Sequence, residues 1–314
     1  MHLKHITAVA LLCLAAKCSG SVLVGEYGAK GDGVSDDAGA FQAALGSGQE
    51  VHVPRGTYRL NEPLVFTSGM TLVGEDNPTL YVYGVQGFVF NSSYDWVEIR
   101  GFKIYGNNQD IFCLINSTYQ VRLTNCTIYN GHCGVVQEGG QVGDIYCTGL
   151  IWWNMSGPCW WMTGGSGLWI TDCTVIQAIP GVEELFASGY GAIVVRDYNA
   201  YQTGPMPYGG NWAFYLYDCF DIQFDQVTLD GMNTGGFYCF ACSGMEWEGV
   251  KAYGIQGTGI LLNSCWDSTF TNCDSSYSVN GYGLLGVSCD NINFNGLLIW
   301  NALGNSVCAG ITQD

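Results

Sequence analysis

Only 12% of the residues of this 314-residue chain are charged, so side chains able to do acid–base work have few places to gather. The densest set lies between residues 183 and 218. It comprises Glu183, Glu184, Tyr190, the adjacent Arg196 and Asp197, and Asp218, around the Gly/Pro/Tyr-rich stretch DYNAYQTGPMPYGG. Two carboxylates in unlike surroundings can divide acid and base roles, one held ionised beside a guanidinium and one kept protonated by an apolar setting. Glu184 and Asp197 are the expected acid and base, with Arg196, His132 and Asp218 assisting. The competing reading is a surface ion pair at Arg196–Asp197 and a solvated loop at Glu183-Glu184. His132 is the single histidine beyond residue 52; it could act as a general acid or base, or anchor a turn. Without a second histidine or a spaced Cys/His cluster beside it, the spacing gives no indication of a metal site.

Aromatic rings are the second resource. Trp153, Trp160, Trp161, Tyr190, Phe214 and Tyr238 are expected on outward faces, where rings provide uncharged area for stacking on sugars. They could equally form an apolar surface covered by loops or by another subunit.

The elements that must carry these groups are written in a repeating ten-residue block. It begins at Val97, Val121, Ile145, Leu168, Ile222, Met245, Ser268 and Ile292, with steps of 24, 24, 23, 54, 23, 23 and 24 residues. Apolar residues at positions one, three, six and eight mark two short strands with one buried face. Position five carries Gly101, Asn125, Gly149, Asp172, Gln226, Gly249, Asn272 and Gly296, types suited to a left-handed bend. A third strand after a Gly-rich turn is read from Gly134, Gly191, Gly236, Gly259 and Gly283. Three strands per coil of about two dozen residues describe an all-β, right-handed parallel β-helix. A β-sandwich would need hairpin turns at closer spacing. The 54-residue step reads as an interruption of the stack, and solenoid insertions gather on the binding face.

Residues 1–20 read as a signal peptide, with Lys4 and His5 before the apolar run 6–16, and residues 21–314 as a single solenoid domain. Secretion is expected, and no segment is long enough to span a membrane. Glycosylation sequons begin at Asn91, Asn116 and Asn154; Asn125 is discounted because the bend ladder is expected to be buried. Fifteen cysteines, of which Cys13 and Cys18 fall in the leader, leave an odd number. Disulfides such as Cys265–Cys289 or Cys239–Cys242 compete with buried thiols. A net charge of −17 with ten Lys and Arg excludes nucleic acid as a partner. It also disfavours a polyanionic sugar unless a cation such as Ca²⁺ mediates binding. No other cofactor is indicated, and an oligomer is possible.

At the amino terminus, Tyr27-Gly28-Ala29-Lys30-Gly31-Asp32-Gly33, then Asp36-Asp37, then Phe41-Gln42-Ala43-Ala44, lead to Val53-Pro54-Arg55-Gly56-Thr57-Tyr58. The acidic residues suit helix capping, and Phe41, Ala44 and Leu45 give that helix a face to plug the open end of the first coil. This run closely resembles the opening of the pectate-lyase-like superfamily. The resemblance implies a right-handed β-helix and, most often, an enzyme acting on carbohydrate. The polygalacturonase motifs are missing: Gly231-Met232-Asn233-Thr234 and Gly257-Thr258-Gly259 stand where two of them would fall. The expected function is glycosidic-bond hydrolysis of a neutral or weakly charged polysaccharide or oligosaccharide. The alternatives are a lyase or uronate epimerase, an isomerase or cyclase for a small hydrophobic molecule, and a non-catalytic carbohydrate-binding protein.

Overall fold

The computed structural model describes residues 20–67, 69–91, 96–114, 120–137, 142–177, 184–202, 212–232 and 235–300, and the strand Val307–Cys308. Residues 1–19 of the expected leader and Asn116 lie outside the described residues, as do Glu183 and the whole stretch 203–211. Among the described residues no helix is long and apolar enough to cross a membrane.

The chain is an all-β parallel solenoid of about ten turns with one short helix. Each turn contributes one strand to each of three sheets. In one turn these are Val97–Arg100, Lys103–Tyr105 and Asp110–Leu114; in the next they are Gln120–Thr124, Thr127–Tyr129 and Val135–Gln137. Residues stack in register between turns: Val121 beside Val97, Ile128 beside Ile104, Val135 beside Phe112. Alternate residues of every strand therefore point inward, and the inward sets form one continuous core. Burying an aliphatic or aromatic side chain contributes about 1.5–3 kcal/mol, repeated at every rung.

The helix Ala38–Leu45 closes the amino-terminal end, with Ala38, Phe41, Ala44 and Leu45 buried and Phe41 edge-on to Tyr58 at 5.3 Å. The acidic residues around it hold backbone. Asp37 accepts N–H bonds from Lys30 (2.7 Å) and Gly31 (3.3 Å), and Asp36 accepts from Ala38 (3.2 Å). Asp32 accepts from Ser35 (2.7 Å) and Val34 (2.9 Å), and those bonds hold its carboxyl down at about 2. Gly31 has φ +61°, and a Cβ there would lie 2.9 Å from the Tyr58 ring.

The bend between the first and second sheets carries one more rung than the sequence block suggested. Asn125, Asp172, Asp197, Gln226 and Asn272 have φ between +49° and +52°, in line with Gly101, Gly149, Gly249 and Gly296. Asp197 belongs here because the apparent 54-residue interruption contains a complete turn. Ile193 lies beside Leu168 on one side and Ile222 on the other, dividing the step into 25 and 29 residues. The block IVVRDYNAYQ was hidden because Val194 stands at position two, where the other blocks carry polar or aromatic residues, and because Gly191 before it imitates the turn that opens a third strand. Consequently the run from Gly191 is the first-sheet strand of this turn, and its third-sheet strand is Trp212–Tyr217, beside Leu185–Ser188 of the turn before. The ladder is also at the surface: Asn125 is exposed, so burial gives no ground for discounting its sequon.

The thiols at Cys126, Cys147, Cys159, Cys173, Cys219, Cys239, Cys242, Cys265, Cys273 and Cys289 are free and buried, so neither expected disulfide is formed. Cys265 donates to the Cys239 carbonyl (3.3 Å) and Cys289 to that of Leu262 (3.5 Å). They serve the core as small hydrophobes with a weak donor.

Candidate functional site

The outer face of the first sheet gathers the chain's scarce charges. Positions two and four of the block point outward there, and parallel register stacks them turn upon turn. Arg196 stands beside Asp225, Asp225 beside Glu248, and Glu248 beside Thr271. Glu246 and Thr269 occupy the parallel column two residues earlier on the same strands. Together these six residues line an open groove of about 390 Å³. Neighbouring strands lie about 4.8 Å apart and alternate residues about 6.7 Å apart along a strand. Asp225 and Glu248 thus rise side by side from backbone positions about 4.8 Å apart.

The same face carries stacked rings earlier in the coil. Tyr146 and Trp169 lie parallel with centroids 4.6 Å apart, and the Arg122 guanidinium sits over Trp96 at 4.9 Å and near Tyr146 at 5.7 Å. Trp169 can lie flat because a Cβ on Gly167 would come within 2.2 Å of its ring. A platform of rings therefore precedes the carboxylate groove on one continuous surface.

The residues singled out by sequence are dispersed. Arg196 is in the groove. Asp197 follows it around the corner, exposed, with φ +49°. Asp218 is likewise a corner residue, φ +52°, aligned with Ala241, Ser264 and Ser288 between the third and first sheets. Glu184 is 2% exposed and lies in the core, where burial pushes its carboxyl up to about 8 while a contact from the Cys159 thiol (3.6 Å) partly offsets this. It cannot serve as an acid in an open cleft. His132 is on the corner before the third sheet, its side chain 49% exposed and its Nδ1 2.7 Å from Asp110 Oδ1.

Among the rings, Trp160, Tyr190 and Phe214 are fully buried and so present no stacking face, whereas Trp153, Trp161 and Tyr238 point outward. A slip of one residue exchanges faces on a strand, and Tyr215, not Phe214, is the outward neighbour. Trp161, Phe186, Tyr215 and Tyr238 form an outer ladder on the third sheet with successive centroids 4.2, 5.5 and 4.9 Å apart. On the second sheet Tyr105, Tyr129 and Trp153 stack at 4.8 and 6.3 Å. Of the sequons, Asn91 is exposed and Asn154 half-buried at a corner with φ +51°. Asp225, Glu246 and Glu248 escaped notice because each sits inside a regular block; their 23-residue stacking offset was the available signal.

Residues 21–95 match the family model for rhamnogalacturonase A/epimerase, pectate lyase-like proteins. A glucan 1,3-beta-glucosidase of Cochliobolus carbonum is 39% identical over 66 residues, 16% of this chain and 8% of that protein. A preneck appendage protein of Bacillus phage PZA is 28% identical over 145 residues, 41% of this chain and 17% of that protein. The chain thus spans only a small part of the length of these relatives. Among solved structures, the A-module of the Azotobacter vinelandii mannuronan C-5 epimerase AlgE4 superposes with a TM-score of 0.61 at 13% identity, covering 94% of this chain and 100% of that one. That likeness is one of fold. The chain is therefore similar over residues 21–95 to the pectate lyase-like, rhamnogalacturonase/epimerase proteins and has the parallel β-helix fold throughout its ten-turn coil, with no branch distinguished.

Proposed function

We propose that the protein is an exported carbohydrate-active enzyme that cleaves a glycosidic bond in the first-sheet groove. The observation that carries this reading is the in-register column Arg196, Asp225, Glu248 and Thr271 on an open face with stacked rings. Arg196 can hold Asp225 by charge-assisted hydrogen bonding, which places Asp225 as the attacking group. Glu248 is then the proton donor. Asp225 attacks the anomeric carbon as Glu248 protonates the departing oxygen; Glu248 next takes a proton from water, which releases the sugar from Asp225. The rings at Tyr146 and Trp169 would seat neighbouring sugar units. Export rests on the apolar amino-terminal run alone.

Steady-state hydrolysis of a panel of neutral glucans tests the reading. Asp225→Asn and Glu248→Gln should each lower kcat by about 10²–10⁴, the usual scale of a lost acid–base group. Unchanged turnover in both would discard it. A lyase or epimerase would use the same groove, with Arg196 receiving a uronate carboxyl; unsaturated products absorbing in the ultraviolet would mark the former. A small apolar substrate gains little support from a groove lined by carboxylates and threonines.

The ladder Trp161–Phe186–Tyr215–Tyr238 favours a second reading, carbohydrate binding without catalysis, as the likeness to a phage appendage protein also allows. Glycan binding that survives Asp225→Asn and Glu248→Gln but is lost in Trp161→Ala would select it.

A further inference from the structure

Asp110 and the adjacent pair His132-Cys133 come from successive turns and meet at the corner before the third sheet. Asp110 Oδ1 lies 2.7 Å from His132 Nδ1, and Cys133 Sγ lies 3.4 Å from that same nitrogen. One ligand atom from each residue falls within 4.8 Å of the others. The backbone is fixed on every side: His132 N–H donates to Gln109 (2.8 Å), Gly157 N–H to His132 (2.9 Å) and Ile111 N–H to Cys133 (2.9 Å). Cys133 N–H donates to Asp110 Oδ1 (3.0 Å). On its far side the imidazole faces Gly157, where a Cβ would stand 3.0 Å from Nε2. That close approach turns Nδ1 toward the carboxylate and the sulfur.

Two electron-rich atoms, a carboxylate oxygen and a sulfur, converge on one ring nitrogen, which can carry a single proton. A hydrogen bond can satisfy one of the two contacts at Nδ1; a cation among the three atoms satisfies all of them. We propose that Asp110, His132 and Cys133 form a binding site for a divalent transition metal ion of the zinc type. Zinc bonds of about 2.0–2.3 Å put tetrahedral ligand atoms about 3.3–3.7 Å apart. The Cys133–His132 distance already fits, and the Asp110–His132 distance opens by about half an ångström. The oxygen, nitrogen and sulfur set suits zinc or cobalt and is a poor one for Ca²⁺ or Mg²⁺. Binding places the Nδ1 lone pair on the metal, moves the ring proton to Nε2 and releases the thiol proton to solvent. Three protein ligands leave the fourth position to water, the arrangement of zinc sites that handle substrate. Sequence spacing concealed the site because Asp110 and His132 are 22 residues apart, one full turn of the coil.

The full chain, stripped with a chelator, would be titrated with Co²⁺ and, separately, with Zn²⁺ in competition with a metal indicator. The expected result is one equivalent bound, with a sulfur-to-cobalt charge-transfer band in the near ultraviolet. His132→Ala and Asp110→Asn should weaken Zn²⁺ binding by more than about 100-fold, beyond the 10–100-fold of a lost outer partner. Cys133→Ser should abolish the band. His132 is half exposed, so His132→Ala should melt as the unmodified chain does, and a matching melting curve secures the comparison. No stoichiometric binding by the unmodified chain, or equal affinity in all three variants, would overturn the proposal.

Discussion

Arg196 and Asp225 stand level on adjacent parallel strands, and both line the first-sheet groove. Their pairing follows from a coil in which equivalent block positions lie one above another. It puts a cation beside a carboxylate in a chain that has ten Lys and Arg in all. Replacing Arg196 by Ala should lower kcat/KM at least about tenfold, and Lys should restore part of the loss because it keeps charge but not the bidentate fork. Both residues are exposed, so melting should move little, within about 0.5 kcal/mol. Kinetics and melting curves on the two variants check this.

Glu184 predicts an unusual pH dependence of stability. Burial raises its carboxyl to about 8 from the ordinary 4.5. Between those values the unfolded chain gives up a proton that the fold retains. Stability is therefore full below about 4.5 and declines as pH rises toward about 8, by up to about 1.4 kcal/mol per pH unit. Glu184→Gln should leave melting at pH 4 nearly unchanged and raise it at pH 8. A variant that melts lower at both values would mean that the carboxyl itself holds the core.

Asp197 occupies its corner for its backbone conformation. With φ +49°, Asn or Gly should be accepted there, whereas a β-branched residue meets the left-handed penalty of about 1–2 kcal/mol. Denaturant titrations of Asp197→Asn and Asp197→Val should separate by that amount. Loss of turnover in Asp197→Asn would return an acid–base role to the corner.

Trp169 and Trp161 distinguish the two aromatic faces. If sugars enter along the first sheet, Trp169→Ala should weaken oligosaccharide binding about tenfold, equivalent to about 1.4 kcal/mol, and Trp161→Ala should have little effect. Calorimetric titration of both variants gives the answer, and the reverse pattern would place the ligand on the third sheet.

The solenoid, its capping helix and most of its bend ladder were legible in the sequence, because period-two alternation and a 23–24-residue repeat are one-dimensional signals. The turn at Ile193 was obscured because Val194 fills the outward position two and Gly191 precedes it, so its first-sheet strand reads as a third strand and the long step as an insertion. Chemistry was less legible for a geometric reason. Side chains adjacent in the chain, such as Arg196 and Asp197, diverge at a corner, while Arg196 and Asp225, 29 residues apart, share a surface. Asp110 and His132 repeat the lesson at the opposite corner. Burial was misjudged where one residue decided the face: Trp160 is inside and Trp161 outside, Phe214 inside and Tyr215 outside.

The most direct test of the groove is turnover of one polysaccharide by four variants measured side by side. Asp225→Asn and Glu248→Gln should lose at least about 10² in kcat, while Glu184→Gln and Asp197→Asn should retain nearly full rate. The opposite ordering, with the groove variants active and the Glu184 and Asp197 variants inactive, would contradict the assignment of the chemistry to the first sheet.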